Sequence, residues 1–104
     1  MKLVVDWYVY IMSNRTHRLY VGSTNDLVRR CREHIERRNR KAFTARYTYN
    51  RLVYYETLPS KEMALKRERQ IKSWSRSKRV QLIQSKNPNW YDLSRKWHRF
   101  LRAE

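Results

Sequence analysis

The sequence is nearly without punctuation: its 104 residues include one glycine, Gly22, and two prolines, Pro59 and Pro88. With no Gly- or Pro-rich stretch there is no linker, low-complexity segment or internal repeat, so the elements must follow one another tightly. A single cysteine, Cys31, excludes an internal disulfide and a Cys-rich zinc site, and suits a reducing compartment. No stretch approaches the roughly 20 apolar residues of a membrane-spanning helix. The apolar start, MKLVVDWYVYIM, is interrupted by Asp6 and followed by no small-residue cleavage site, so it reads as a strand rather than a secretion signal. The expectation is a cytoplasmic protein with no membrane partner. Acidic residues are scarce, 9 against 25 Lys plus Arg, for a net charge of +16. Such a field attracts phosphates at long range and gains affinity from counterion release, so a polyanion is the expected partner.

The length suits one domain, 1–104, with one core. Residues 7–12 and 18–22 are β-branched and aromatic runs separated by Ser13-Asn14-Arg15-Thr16-His17, which predicts a hairpin; 51–57 predicts another strand. Thr24-Asn25-Asp26 offers capping side chains ahead of apolar residues 27, 31 and 35, which predicts a helix over about 26–38. Residues 39–50 carry no decisive pattern. Helices are predicted from Lys61 to about Ser73 and over about 76–86, the latter stopped by Asn87-Pro88, with a short aromatic helix from Trp90 to Phe100. The order gives an α+β fold, a three-stranded antiparallel β-sheet flanked by helices.

Three places break the expected pattern. With the first turn centred on Arg15, Tyr10 falls opposite Tyr20 and Tyr8 opposite Gly22, so the tyrosines share one face of the hairpin. Val9, Ile11, Leu19 and Val21 form an aliphatic core face on the other. Aromatic pairs stabilise hairpins by themselves, but Gly22 beside the phenols would also let a ligand backbone come close. On the first helix, Leu27, Cys31 and Ile35 form the buried stripe, with Arg30 and His34 stacked at its edge, either as a phosphate clamp or as part of a solvated basic face. On the helix at 61–73, Glu68 sits among Ala64, Leu65, Ile71 and Lys72. A carboxylate on an apolar stripe needs a partner: Lys72 in a helical ion pair, or a hard cation such as Mg²⁺.

Taken together, Tyr8-Val9-Tyr10, Tyr20-Val21-Gly22, Asp26-Leu27-xx-Arg30 with His34, and the later Arg67-Glu68-xx-Ile71-Lys72-xx-Trp74 resemble the GIY-YIG nuclease signature. The likeness continues through Phe43-Thr44-Ala45-Arg46-Tyr47 and covers nearly the whole chain. It is similar to small stand-alone, single-domain bacterial members, and is related to the incision domain of the excision-repair nuclease. The resemblance implies hydrolysis of phosphodiester bonds in DNA with one divalent ion, Mg²⁺ or Mn²⁺. Tyr20 or Tyr10 would deprotonate or orient the attacking water, Arg30 would neutralise charge on the phosphate, His34 would assist and Glu68 would hold the metal. Gly22, Ser23, Arg46, Lys72 and Asn87 are the further residues expected at the nucleic acid.

Two departures stand out: the first triplet is Tyr-Val-Tyr, and Ser23 occupies a position where some members carry a catalytic lysine. With no room for an appended recognition domain, structure-selective or weakly selective cutting is expected, on DNA or RNA. The competing expectation is a non-catalytic nucleic-acid-binding module that keeps the fold, its Tyr and Trp residues stacking on bases among the cations.

Overall fold

The computed structural model describes residues 5–37 and 49–97. Strands β1 (Trp7–Ser13) and β2 (Leu19–Thr24) are followed by helix α1 (Leu27–Arg37), strand β3 (Arg51–Leu58), helices α2 (Lys61–Lys72) and α3 (Arg76–Lys86), and a 3-10 helix (Leu93–Trp97). The strands form one antiparallel sheet in the order β2-β1-β3, so β2 is an edge. This is the α+β architecture expected from the sequence.

Both faces of the sheet are covered. Val9, Ile11 and Val21 pack with Val53 and Tyr54 against Ala64 and Ile71 of α2 and Ile83 of α3. The opposite face, expected to present its tyrosines to a ligand, is instead a second core: Tyr10, Met12 and Leu52 pack against Leu27 and Cys31 of α1. Ile35, expected on the same stripe, lies outside the described side chains. Burial pushes the Cys31 thiol up to about 12, so this residue is an apolar filler and not a reactive group.

The hairpin register differs from expectation by two residues: Tyr10 pairs with Gly22, and Tyr20 with Met12. Ser13 is still part of β1, and Arg18 belongs to the loop. Asn14 organises that loop, its Oδ1 accepting from Thr16 N at 3.0 Å, Thr16 Oγ1 at 2.9 Å and Arg18 N at 2.9 Å. His17 takes a left-handed conformation, with φ 62°. A shift of two residues preserves the faces, because side chains alternate with period two.

The new register explains the glycine. A Cβ at Gly22 would stand 2.6 Å from Tyr10 Oη and 2.7 Å from Tyr10 Cζ, closer than carbon atoms tolerate. The space expected to admit a ligand backbone is filled by the Tyr10 ring.

A bulge opens between Ile11 and Met12, which pair with Tyr54 and Leu52 and leave Val53 outside the ladder. Asn87 closes that gap. Its Nδ2 donates to Val53 O at 2.9 Å and to Tyr91 O at 2.9 Å, while its Oδ1 accepts from Tyr91 N at 3.0 Å. Expected as a nucleic-acid contact, Asn87 is 4% exposed and spends its polar atoms on the backbone. The last helix starts later than expected, at Leu93 rather than Trp90, and as a 3-10 helix. Trp90 adopts φ 55°, and Asp92 Oδ1 caps a new start by accepting from Ser94 N and Oγ at 3.0 and 2.6 Å. The remainder of that expected helix lies outside the described residues.

Gly22→Ala is expected to cost about 1–3 kcal/mol, the usual penalty for overpacking a core, measured by urea denaturation. A variant as stable as its parent would mean that the Tyr10 ring moves aside freely.

Candidate functional site

The tyrosine face carries a connected polar cluster within its apolar surroundings. Arg30 enters from α1, whose start is set by Asp26: its Oδ1 accepts from Arg29 N at 3.1 Å, as an N-cap does. Arg30 Nε donates to Tyr10 Oη at 3.1 Å, Nη2 to Tyr20 Oη at 3.4 Å, and Nη1 to Glu33 Oε1 at 2.8 Å. His34 Nε2 lies 3.4 Å from Tyr10 Oη, and its ring meets Tyr20 edge-on at 4.9 Å between centroids. The Tyr10 oxygen, which accepts from Arg30, thus has His34 as a second hydrogen-bond partner within reach. Four of the expected site residues, Tyr10, Tyr20, Arg30 and His34, therefore form one connected cluster, with the two tyrosines joining Arg30 to His34.

Their exposures separate them. Tyr10 is 1% exposed and His34 4%, whereas Tyr20 is half-buried and the Arg30 side chain is 33% exposed. Burial raises the Tyr10 pKa well above the ordinary tyrosine range despite the Arg30 hydrogen bond. Tyr10, expected as one possible base, is a buried neutral phenol that orients Arg30. Burial opposes the Arg30 charge, but the hydrogen bonds to Glu33 and the two phenols outweigh it, and the guanidinium stays firmly charged.

Glu68 lies across the sheet from these groups. Its Oε1 accepts from Ser23 Oγ at 2.5 Å and its Oε2 from Lys72 Nζ at 2.6 Å. Ala64 and Ile71 beside it are fully buried, and the Glu68 side chain itself is 17% exposed. Among the described residues no hydrogen bond joins Glu68 to the phenols. The two halves meet at β2, from which Tyr20 and Gly22 face α1 while Ser23 faces α2. A substrate laid along an edge strand can touch groups from both faces.

Three contacts were not foreseen from sequence. Tyr49 packs on Tyr20 with centroids 5.6 Å apart, but it fell within the stretch that carried no pattern. Glu33 pairs with Arg30, which its i, i+3 spacing could have suggested. Arg67 grips Glu56 through Nε at 3.0 and 3.1 Å and Nη2 at 2.9 Å, tying α2 to β3 one residue before Glu68. Burial acts to raise the Glu56 pKa, yet Arg67 and the Tyr54 hydroxyl hold it below the ordinary carboxylate range. Arg46, expected at the nucleic acid, lies outside the described residues.

Residues 6–81 match the model of the GIY-YIG catalytic domain, and the chain belongs to that family of nuclease-type domains. Within it, the chain is similar to UPF0213 proteins. It is 40% identical over 77 residues to one from Haloquadratum walsbyi, covering 74% of this chain and 85% of that one. It is 38% identical over 84 residues to one from Clostridium perfringens, covering 77% and 85%. The solution NMR structure of a UPF0213 protein from Bacillus halodurans superimposes with a TM-score of 0.53 at 33% identity, over 84% of this chain and 92% of that one. Among the described residues, no helix is long and apolar enough to cross a membrane.

Alkaline pH tests the buried phenols. Burial, together with Glu56 for Tyr54, raises both Tyr10 and Tyr54, so above about pH 10 the unfolded chain loses these protons before the folded one does. Their contribution to stability is complete below that pH. It should then fall by up to about 1.4 kcal/mol per pH unit for each group as pH rises further. Denaturant midpoints for the parent and Tyr10→Phe across this range should give a shallower decline in the variant, and identical declines would refute the assignment for Tyr10.

Proposed function

We propose that this protein is a divalent-metal-dependent endonuclease that hydrolyses phosphodiester bonds in DNA, weakly selective for sequence, in the cytoplasm. The observation that carries this reading is the convergence on edge strand β2 of a charged Arg30 with the Tyr20 phenol on one face and the Glu68 carboxylate on the other. The charge of +16 supports a nucleic acid as partner, bound through its phosphates.

The residues around Glu68 fit a sparsely held divalent ion. The carboxylate already carries a cation, the Lys72 ammonium on Oε2, and the Ser23 hydroxyl steadies the other oxygen. Mg²⁺ commonly takes one or two carboxylates and completes its shell with water and phosphate oxygens, so one glutamate suffices. A bound ion supplies positive charge at the phosphate and a more acidic water.

The chain's own residues do the rest. Arg30, held by Tyr10 and Glu33, presents its guanidinium to the phosphate and offsets the charge that builds there. Tyr20 orients the attacking water through its hydroxyl. Tyr10 and His34 are positioning residues, since both are buried. In the reaction, the water oxygen bonds to phosphorus, the bond to the departing strand's oxygen breaks, and that oxygen ends with a proton while the water has lost one. Ser23 and Lys72 contact the nucleic acid at the same edge, with Arg46 a further contact.

A binding module without catalysis has one observation in its favour: Tyr91 is 63% exposed in a concavity of about 400 Å³ that it shares with Arg51 and Arg95, a surface suited to stacking and phosphate contact. Incubation with plasmid, branched and single-stranded DNA plus Mg²⁺ or Mn²⁺ separates the two. Cleavage should fall on the order of a hundredfold or more in Glu68→Gln and in Arg30→Ala, with DNA affinity little changed in the former. A Glu68→Gln protein that cuts like its parent, or a parent that binds every substrate and cuts none, would sink the nuclease reading.

A further inference from the structure

β2 carries no lysine among its residues Leu19–Thr24, so this strand brings no ammonium to the edge where Ser23 stands. A lysine of α2 stands there instead. Ser23 Oγ and Lys72 Nζ divide Glu68 between them, one on each oxygen, at 2.5 and 2.6 Å. The serine hydroxyl is short and neutral, so it anchors the carboxylate without adding charge. The Lys72 side chain is 53% exposed against 17% for Glu68, so the ammonium covers the carboxylate from the solvent side, where ion and substrate must arrive. Its root is fixed: Arg79 Nε donates to Ile71 O at 3.1 Å and Nη2 to Lys72 O at 2.7 Å, which holds the last turn of α2 while the stem can pivot.

We propose that Lys72 serves two partners in turn, neutralising Glu68 in the metal-free enzyme and moving to the scissile phosphate when a divalent ion takes its place on the carboxylate. The inference rests on the metal-dependent reading above. With Ser23 on Oε1, an ion that takes Oε2 meets the Lys72 ammonium at close range, and the repulsion between the two cations drives Lys72 off that oxygen. A compact ammonium on a flexible four-carbon stem suits such an exchange, where the planar fork of arginine would favour staying on the carboxylate. Lys72 remains protonated throughout and carries no proton in the reaction. It takes over the phosphate-side role that Ser23 cannot fill. A phosphate that draws Lys72 away from Glu68 also favours the ion there, so metal and nucleic acid should bind with positive, reciprocal coupling.

The test measures Mn²⁺ affinity without nucleic acid, by electron paramagnetic resonance of free Mn²⁺, and single-turnover cleavage at saturating Mn²⁺. Lys72→Met, with Lys72→Gln as a more polar second variant, should bind Mn²⁺ on the order of tenfold more tightly, yet cleave on the order of tenfold more slowly. Adding Ser23→Lys to Lys72→Met should recover part of the rate. Unchanged or weaker Mn²⁺ binding in both variants overturns the exchange, and unchanged cleavage overturns the phosphate role. Glu68→Gln binding Mn²⁺ as well as the parent would remove the metal site itself. With that site intact and only the Lys72 variants indifferent, the nuclease reading stands and the exchange of partners falls.

Discussion

Tyr10 can lie across the sheet only because the residue paired with it, Gly22, has no side chain, and much of the α1 side is arranged around that contact. A ring held this close to the strand places its oxygen where Arg30 Nε can donate to it at 3.1 Å, and the same oxygen reaches His34. Arg30 is thereby aimed by a buried phenol as well as by the more exposed carboxylate of Glu33. A long cationic side chain gives up rotamer entropy when it is fixed, and sharing that cost among three acceptors leaves the guanidinium ordered but still one-third exposed. Gly22 itself is buried, so its part in the site is to admit the tyrosine that orients the arginine.

The second half of the site depends on where α2 is locked. Arg67 and Glu56 form a multidentate pair with side-chain exposures of 26% and 16%, with Tyr54 donating to the same carboxylate. Removing one partner of so enclosed a pair would leave a charge with little water to solvate it, so the contact resists sliding of α2 along the sheet. Ala64 and Ile71 press the helix onto the same face. Glu68 follows Arg67 directly and is carried to the β2 edge by that docking. Both halves thus converge on one edge strand while each is fixed by its own face of the sheet.

The chain order, the strand pattern and the grouping of Tyr10, Tyr20, Arg30 and His34 were legible because they follow from short-range rules of period-two alternation, caps and helical spacing, and Glu68 stood out as the break in a helical stripe. What was not legible depends on contacts distant in sequence. The hairpin register turned on the Asn14 side chain closing its loop, a local choice that alternation alone cannot distinguish from a register two residues away. The covering of the tyrosine face could not be read from the hairpin, because Tyr suits a solvated sheet and an apolar one equally well. Asn87 resembled a functional asparagine until the bulge at Val53 supplied a carbonyl for it to satisfy. Ser23 looked like a gap in a motif, whereas its hydroxyl is a direct partner of Glu68.

The charge of the chain and the position of Glu68 pull in opposite directions, and that opposition bears on the proposed function. A net charge of +16 would hold almost any polyanion, and for binding alone a carboxylate on the edge proposed to meet phosphate is a cost. At an effective dielectric of about 20, two like charges roughly 6 Å apart repel by nearly 3 kcal/mol, enough to weaken binding about a hundredfold. Lys72 cancels that repulsion in the free protein, but an ammonium tied to Glu68 is one cation fewer for the phosphate. A binding surface would do better with neither residue of the pair. A reaction that needs a cation between carboxylate and phosphate has a use for both, since the carboxylate holds the ion and the displaced ammonium is left beside the charge that develops. The pairing of Glu68 with Lys72, rather than the excess of basic residues, is therefore the feature that favours chemistry over adhesion.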